Sequence, residues 1–194
     1  MHPNRTFAWQ DQEAMLAFVG EIAFATVAAE GPVVVHVPVL VVGDAIRFHI
    51  SRGNRAKLEG KNAIVSVLGP EAYISPDWYG TEDQVPTWNY LAVEAEGPLR
   101  RLDEPELADL LDGLSAAHEA RLAPKKPWTR DKMTPGRFEA MLKAIIGYEL
   151  AIEDLRGTRK LGQHKRESER RGAAEGLAPY NPVLAALMEK EDRA

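Results

Sequence analysis

The 194-residue chain contains no cysteine. Thiol nucleophiles, disulfides and cysteine-ligated zinc or iron–sulfur centres are therefore excluded. No stretch approaches the roughly 20 apolar residues needed to span a bilayer. The opening MHPNRTFAWQDQE has no apolar core of the kind a signal peptide carries, so a cytoplasmic protein is expected. Charge of one sign is also lacking: 24 Lys and Arg face 29 Asp and Glu, a net of −5. Sequence-independent affinity for nucleic-acid phosphate is thus not expected of the chain as a whole. The histidines, His2, His36, His49, His118 and His164, include no pair at helical metal-binding spacing, and neither a P-loop, a Rossmann glycine pattern nor a Gly-x-Ser-x-Gly elbow occurs.

What is present is ordinary globular composition, 45% hydrophobic and 27% charged, enough for one compact domain. Asp11 can cap a helix with Met15, Leu16, Phe18 and Val19 on one stripe, ended near Gly20. Val- and Ile-rich runs at 24–28, 33–42, 45–50 and 63–68, separated by tight turns, predict an antiparallel meander. The 33–42 run is apolar on both faces and should be buried on both, His36 included, with Pro38 at a bulge or an edge. In 46–51, Ile46, Phe48 and Ile50 share one face while Arg47, His49 and Ser51 share the other, where a polar groove is expected. Gly69-Pro70 reads as a turn. A long strand over 90–101 leads to Asp103, which can cap a helix over 105–121. Thr134-Pro135 opens a helix carrying Phe138, Met141, Leu142 and Ile145, and a last strand covers 148–155. The order predicts an α+β fold around a small barrel. After Arg156 the chain turns polar and basic. Residues 1–160 are expected to form the barrel domain, and 161–194 a tail without a core of its own, packed on the barrel or on a neighbouring subunit.

Chemistry concentrates in three places. Ser51-Arg52-Gly53-Asn54-Arg55-Ala56-Lys57 brings a hydroxyl, an amide, two guanidiniums and an ammonium to a strand-to-helix turn, as an anionic phosphate requires; a solvated basic turn is the alternative. Between Tyr73 and Tyr90 stand two of the four Trp and three of the five Tyr. Such density in a Pro-containing segment suits a subunit interface, a wall for a flat ligand or plain core. The third is the basic stretch Arg156, Arg159, Lys160, Lys165, Arg166, Arg170 and Arg171, either a nucleic-acid patch or a solvated terminus, with Lys160 and Gln163 able to reach back to a ligand.

The strings His36-Val37-Pro38-Val39-Leu40, His49 to Asn54, Tyr73-Ile74-Ser75-Pro76-Asp77-Trp78-Tyr79, Val85 to Tyr90 and Lys160-Leu161-Gly162-Gln163 follow one another in a recognisable order. With Pro3 to Phe7 they make the chain resemble the PaiB-type FMN-binding proteins, often called negative transcriptional regulators, from about residue 1 to about 175. The resemblance implies a split antiparallel β-barrel with flanking helices, like that of pyridoxamine-phosphate oxidases, forming a homodimer with FMN at the subunit interface. By the same likeness, His49, Ile50, Ser51, Arg52, Asn54, Arg55 and Lys57 would hold the phosphate and one edge of the ring. Thr87, Trp88 and Asn89 would line the site, and Lys160 and Gln163 would close it. Gly162 and His164 stand where the family string has Ser and Asn.

Three functions follow. The first is an FMN-linked reductase or redox sensor associated with negative transcriptional regulation, in which the flavin carries the electrons and no residue is assigned as acid or base. The second is a repressor contacting DNA directly through the 156–171 stretch, although no helix-turn-helix is legible. The third is a haem-binding split barrel with His164 or His49 as axial ligand.

Overall fold

The computed structural model describes residues 2–31, 33–54 and 57–191. Arg55, one of the expected phosphate contacts, lies outside the described residues. The strands form an antiparallel sheet of eight, in the order β1-β8-β6-β5-β2-β3-β4-β7, with a further β6–β7 pairing. That pairing makes the run from β6 to β7 a closed, six-stranded ring. The architecture is a split antiparallel β-barrel with flanking helices. The chain divides into two compact units, one of residues 1–15, 68–94 and 156–194, the other of 16–67 and 95–155.

The helix α1 (Gln12–Ile22), which begins in the first unit, leads into β2 (Phe24–Ala29), β3 (Val33–Val42) and β4 (Ala45–Ser51) of the second. Asp11 Oδ1 accepts from Ala14 N at 2.9 Å, the expected cap. The helix runs through Gly20 and stops at Ala23, whose φ of 53° breaks the ladder. Alternation then does the work: Val35, Val37, Val39, Ile46, Phe48 and Ile50 are buried. Removing each such side chain from water contributes about 1.5–3 kcal/mol. The outward face of β3 is not covered, since Val34 is 59% exposed and His36 is also exposed, where its Nδ1 meets Thr26 Oγ1 at 3.1 Å. The expectation of a strand buried on both faces therefore fails for His36.

Prolines inside strands mark the ends of ladders. Pro38 is the last partner of β2, and Val39 the first partner of β4, so the missing N–H falls where β3 changes neighbours. Gly69-Pro70, expected as a turn, lies within β5 (Asn62–Ile74), beyond the β2 pairing that ends at Ser66. Pro98 lies in β6 (Thr87–Arg101), one residue before the β7 pairing begins at Leu99. Beside it, Gly97 has no room for a side chain: a Cβ would stand 1.8 Å from the Ala151 carbonyl oxygen. The strand expected over 148–155 is in fact two, β7 (Ile145–Ala151) and β8 (Asp154–Lys160).

Asp103 and Glu106 form a capping box on α2 (Glu104–Ala120). Leu107, Leu110 and Leu114 of this helix pack with Leu102, Leu142, Leu40 and Ile145 as an outer core. The next helix, α3 (Arg137–Leu142), is shorter than expected: Ile145 belongs to β7 and Met141 is exposed. The polar face of β4 is no open groove at Arg47, which donates to Glu149 at 2.6 Å; Arg100 bridges Glu149 and Glu106 at 2.7 Å each.

In the first unit, β1 (Ala8–Trp9) pairs with β8. The residues after Arg156, expected to be poor in core, contribute Leu161, Ala173, Ala174, Leu177, Leu184, Ala185 and Met188 to the buried set. They fold as β8, α4 (Glu167–Leu177) and α5 (Pro182–Glu189). Gly172 and Gly176 of α4 leave a slot for Trp78, because a Cβ on either would come within 2.5 Å of it.

Three variants test this packing. Gly97→Ala should lower stability by ~1–3 kcal/mol or more through overpacking against a backbone atom, whereas Gly20→Ala, with nothing within 4 Å, should raise it by up to about 1 kcal/mol as a helix substitution; urea midpoints read both. The Arg100 hydrogen bonds hold the Glu106 carboxyl down at about 2. A depressed carboxylate stabilises the fold above its unfolded value of 4.5 and loses that contribution as pH falls towards 2. Glu106→Gln should therefore cost about 1 kcal/mol or less at pH 7 and flatten the decline of the unfolding midpoint between pH 4.5 and 2.

Candidate functional site

The expected site residues fall into two groups, one in each unit. His49 and Ile50 lie on β4, Ser51 ends it, and Arg52 and Asn54 form the short turn Arg52–Asn54 that follows. Ile50 is 4% exposed, so its side chain belongs to the barrel core. Ser51, Asn54 and Lys57 are exposed. The Ser51 hydroxyl accepts from Gly53 N at 3.3 Å, a local bond that shapes the turn. Arg52 is anchored: Nε donates to Lys143 O at 2.9 Å and Nη2 to Ile145 O at 3.3 Å. Two carbonyls thus fix the guanidinium and leave Nη1 for another acceptor. His49 Nδ1 is buried without a hydrogen-bond partner, and burial lowers the imidazole's pKa, so the ring is neutral near pH 7.

The second group is more closely knit. Lys160, at the end of β8, donates to Thr87 Oγ1 at 2.7 Å and lies 5.7 Å from the centre of the Phe7 ring. No carboxylate faces it among the described residues, and burial lowers its pKa. Asn89 shares the Thr87 face of β6 and is 1% exposed. Its Nδ2 reaches only the Met188 sulfur, at 3.5 Å, and its Oδ1 has no partner. Unsatisfied polar atoms at such depth cost about 1–3 kcal/mol each, so a group that completes them is favoured. Gly162, at φ 85°, turns the chain after Lys160, and a Cβ there would lie 3.7 Å from Asn89 Nδ2. The glycine that departs from the family string is the residue type this backbone prefers.

Gln163 acts on the backbone rather than outward. Its Oε1 accepts from Leu161 N at 2.8 Å, and its Nε2 donates to Arg159 O and Thr6 O at 2.5 and 3.3 Å. It holds the turn that presents Lys160. Trp88 points to the other face of β6, 49% exposed, edge-on to Tyr73 at 6.2 Å, with its indole N–H donating to Glu71. Phe7, the floor beneath the Lys160 ammonium, stands at the other end of the chain from it, so no sequence spacing signals the contact.

The basic stretch is largely engaged within its own unit. Arg156 pairs with Glu94 at 3.0 Å, Arg159 with Glu191 at 2.8 Å and Arg166 with Glu169 at 2.8 Å. Lys165 donates to Gln84 at 2.5 Å, and Arg170, 7% exposed, donates to the carbonyls of Met188 and Glu189 at the end of α5. These cations close the tail onto the 80–84 loop and onto itself. No group of three or more His, Asp or Glu side chains able to hold a metal occurs among the described residues, and no helix there is long and apolar enough to cross a membrane.

A flavin mononucleotide offers a phosphate dianion, ribityl hydroxyls and a ring edge of alternating acceptors and an N–H. An ammonium without a carboxylate, a buried amide oxygen without a donor, and a hydroxyl- and amide-bearing basic turn match those groups in kind. Residues 1–154 match a family model described as "Putative FMN-binding domain". The chain is 31% identical over 208 aligned residues to the protease synthase and sporulation protein PAI 2 of Bacillus subtilis, covering 97% of each. Among solved structures, its fold is similar to that of an FAD- and haem-binding protein from Mycobacterium smegmatis, at TM-score 0.55 and 21% identity over 79% of this chain and 73% of that one. It is also similar to the flavocytochrome Anf3 from Azotobacter vinelandii, at 0.54 and 19%, over 82% and 72%.

Glu169, 5% exposed, accepts from Thr81, Arg166 and the Arg166 backbone, and the Arg166 bond foremost holds its carboxyl at about 2. Thr81→Val should therefore loosen the 80–84 loop without unfolding the chain, measured as faster hydrogen exchange at 81–84 with an unfolding midpoint within a few degrees of the parent. With this barrel, these unsatisfied polar groups and a match along most of its length, the chain belongs to the PaiB-type family of FMN-binding split-barrel proteins.

Proposed function

We propose that the chain works as an FMN-dependent redox protein, a reductase or a sensor, in a homodimer, and that its link to negative transcriptional regulation runs through that redox state. Ser51, Arg52, Asn54, Arg55 and Lys57 are assigned to the phosphate, with His49 and Ile50 as the strand that delivers them. Thr87, Asn89 and Lys160 are assigned to the polar edge of the ring, Trp88 to the wall beside it, and Gln163 to holding the Lys160 turn. Bound FMN supplies hydride and single-electron chemistry; the chain supplies binding, orientation and charge. The observation that carries the reading is Lys160, partly buried, without a carboxylate and with its pKa lowered by burial. A cation at that place favours an electron-rich partner. Exposed Tyr73, Val85 and Trp88 form an apolar surface suited to a second copy of the chain.

Direct DNA contact is the weaker reading, because most of the basic side chains that would make it are engaged with Glu94, Gln84, Glu169, Glu191 and the end of α5. Lys160→Met is the discriminating variant. Removing a charge-assisted bond of ~1.5–3 kcal/mol predicts FMN affinity weaker by about tenfold to 150-fold, while the ligand-free protein should unfold at an equal or higher temperature, since a desolvated charge is gone. Apoprotein titration with FMN and a thermal melt measure the two. Unchanged FMN affinity would remove Lys160 from the site.

A further inference from the structure

A cavity of about 290 Å³ opens in the second unit where three segments meet: the turn after β4, the end of β6 with the start of α2, and the residues between α3 and β7. The strand pairing explains the meeting. β7 lies between β4 and β6, with Ile145 opposite Ser51 on one side and Tyr148 opposite Arg101 on the other. Arg52 N then donates to Ala144 O at 2.8 Å and Leu102 N to Gly147 O at 2.9 Å, which brings Arg52, Arg101 and Lys143 to one rim. Leu102, Leu107 and Leu142, all buried, make the apolar part of the lining.

Charge at this rim is unbalanced. Elsewhere Arg47, Arg100, Arg130, Arg156 and Arg166 are each paired with a carboxylate. The side chains of Arg101 and Lys143 are exposed and have neither a hydrogen bond nor an ion pair among the described residues. Arg52 spends Nε and Nη2 on carbonyls and keeps Nη1. Two carboxylates also line the cavity. Asp103 Oδ1 is committed to Glu106 N at 2.9 Å, and Glu104 stands in the first turn of α2, where the helix dipole offsets its charge. Three cations left to face one small cavity, in a chain of net charge −5, suit a group with more than one negative charge. A phosphate monoester brings such a charge and three acceptor oxygens, one for each cation.

We propose that Arg101 and Lys143 join Arg52 in holding the phosphate of FMN. The assignment rests on the flavin reading above and adds to it two side chains from the far side of β7, outside the 51–57 turn. Arg52, its guanidinium fixed beforehand by two carbonyls, gives up little freedom on binding. Arg101 and Lys143 supply the remaining charge, so they set the preference for the phosphorylated flavin over the unphosphorylated one.

The test is titration of the FMN-free full chain with FMN and with riboflavin, for the parent, Arg101→Gln, Lys143→Gln and Lys126→Gln. Lys126 is an exposed cation that does not line the cavity, so its variant controls for general loss of positive charge. Arg101→Gln and Lys143→Gln should each weaken FMN by about tenfold and leave riboflavin unchanged, while Lys126→Gln should change neither. The ligand-free variants should melt at or above the parent temperature, since each removes one of three neighbouring like charges. FMN affinity unchanged in both cavity variants, equal losses of FMN and riboflavin, or the same FMN loss in Lys126→Gln would each overturn the assignment and leave the flavin reading standing. A parent protein that binds neither flavin overturns that reading and this assignment with it.

Discussion

The structure depends on where its strands change partners. β6 runs for 15 residues beside β8, β5 and, at its end, β7, and the switch occurs at Gly97-Pro98. Pro98 brings no N–H to a point between ladders, and Gly97 lets the Ala151 carbonyl into a space no side chain could share. The chain then passes Glu153, whose N–H donates to Glu96 O at 2.9 Å, and starts β8. β8 ends at Lys160. The position of the Lys160 ammonium is thus set by the strand that begins at this crossing.

A basic segment that looks like a surface for nucleic acid proves to be mostly an internal fastening. Glutamates at 94, 169 and 191, Gln84 and the end of α5 take most of its charges, while Trp78 fills the slot left by Gly172 and Gly176. Against that well-satisfied background, the buried atoms without a partner are the informative ones: Asn89 Oδ1 and Arg159 Nε in one unit, His49 Nδ1 in the other. Folding alone gives no reason to bury polar groups unpaired, and a ligand does.

Much of this was legible in the sequence. Alternation located Ile46, Phe48 and Ile50 on the inner face, Asp103 announced α2, and strings such as Tyr73-Ile74-Ser75-Pro76 pointed to the family and the split barrel. What failed did so for local reasons. Gly69-Pro70 resembles a turn in any single sequence; that it lies inside a strand depends on β2 ending its pairing at Ser66, which is a tertiary fact. The break between β7 and β8 was hidden because Ile152 and Leu155 continue the apolar content across it. The Val-rich neighbours of His36 suggest a core position, although its own face of β3 is open. The Arg52 contacts to Lys143 and Ile145 and the Phe7 ring beneath Lys160 join segments far apart in the chain, beyond the reach of periodicity.

The central claim is that this barrel holds a flavin through its phosphate as well as its ring. Titration of the apoprotein with FMN and with riboflavin, followed by visible absorption, tests it most directly. The account predicts saturable FMN binding with a flavin spectrum in the bound state, and riboflavin at least tenfold weaker for want of a phosphate. Equal affinity for the two would contradict the phosphate assignment, and binding of neither would contradict the flavin site itself.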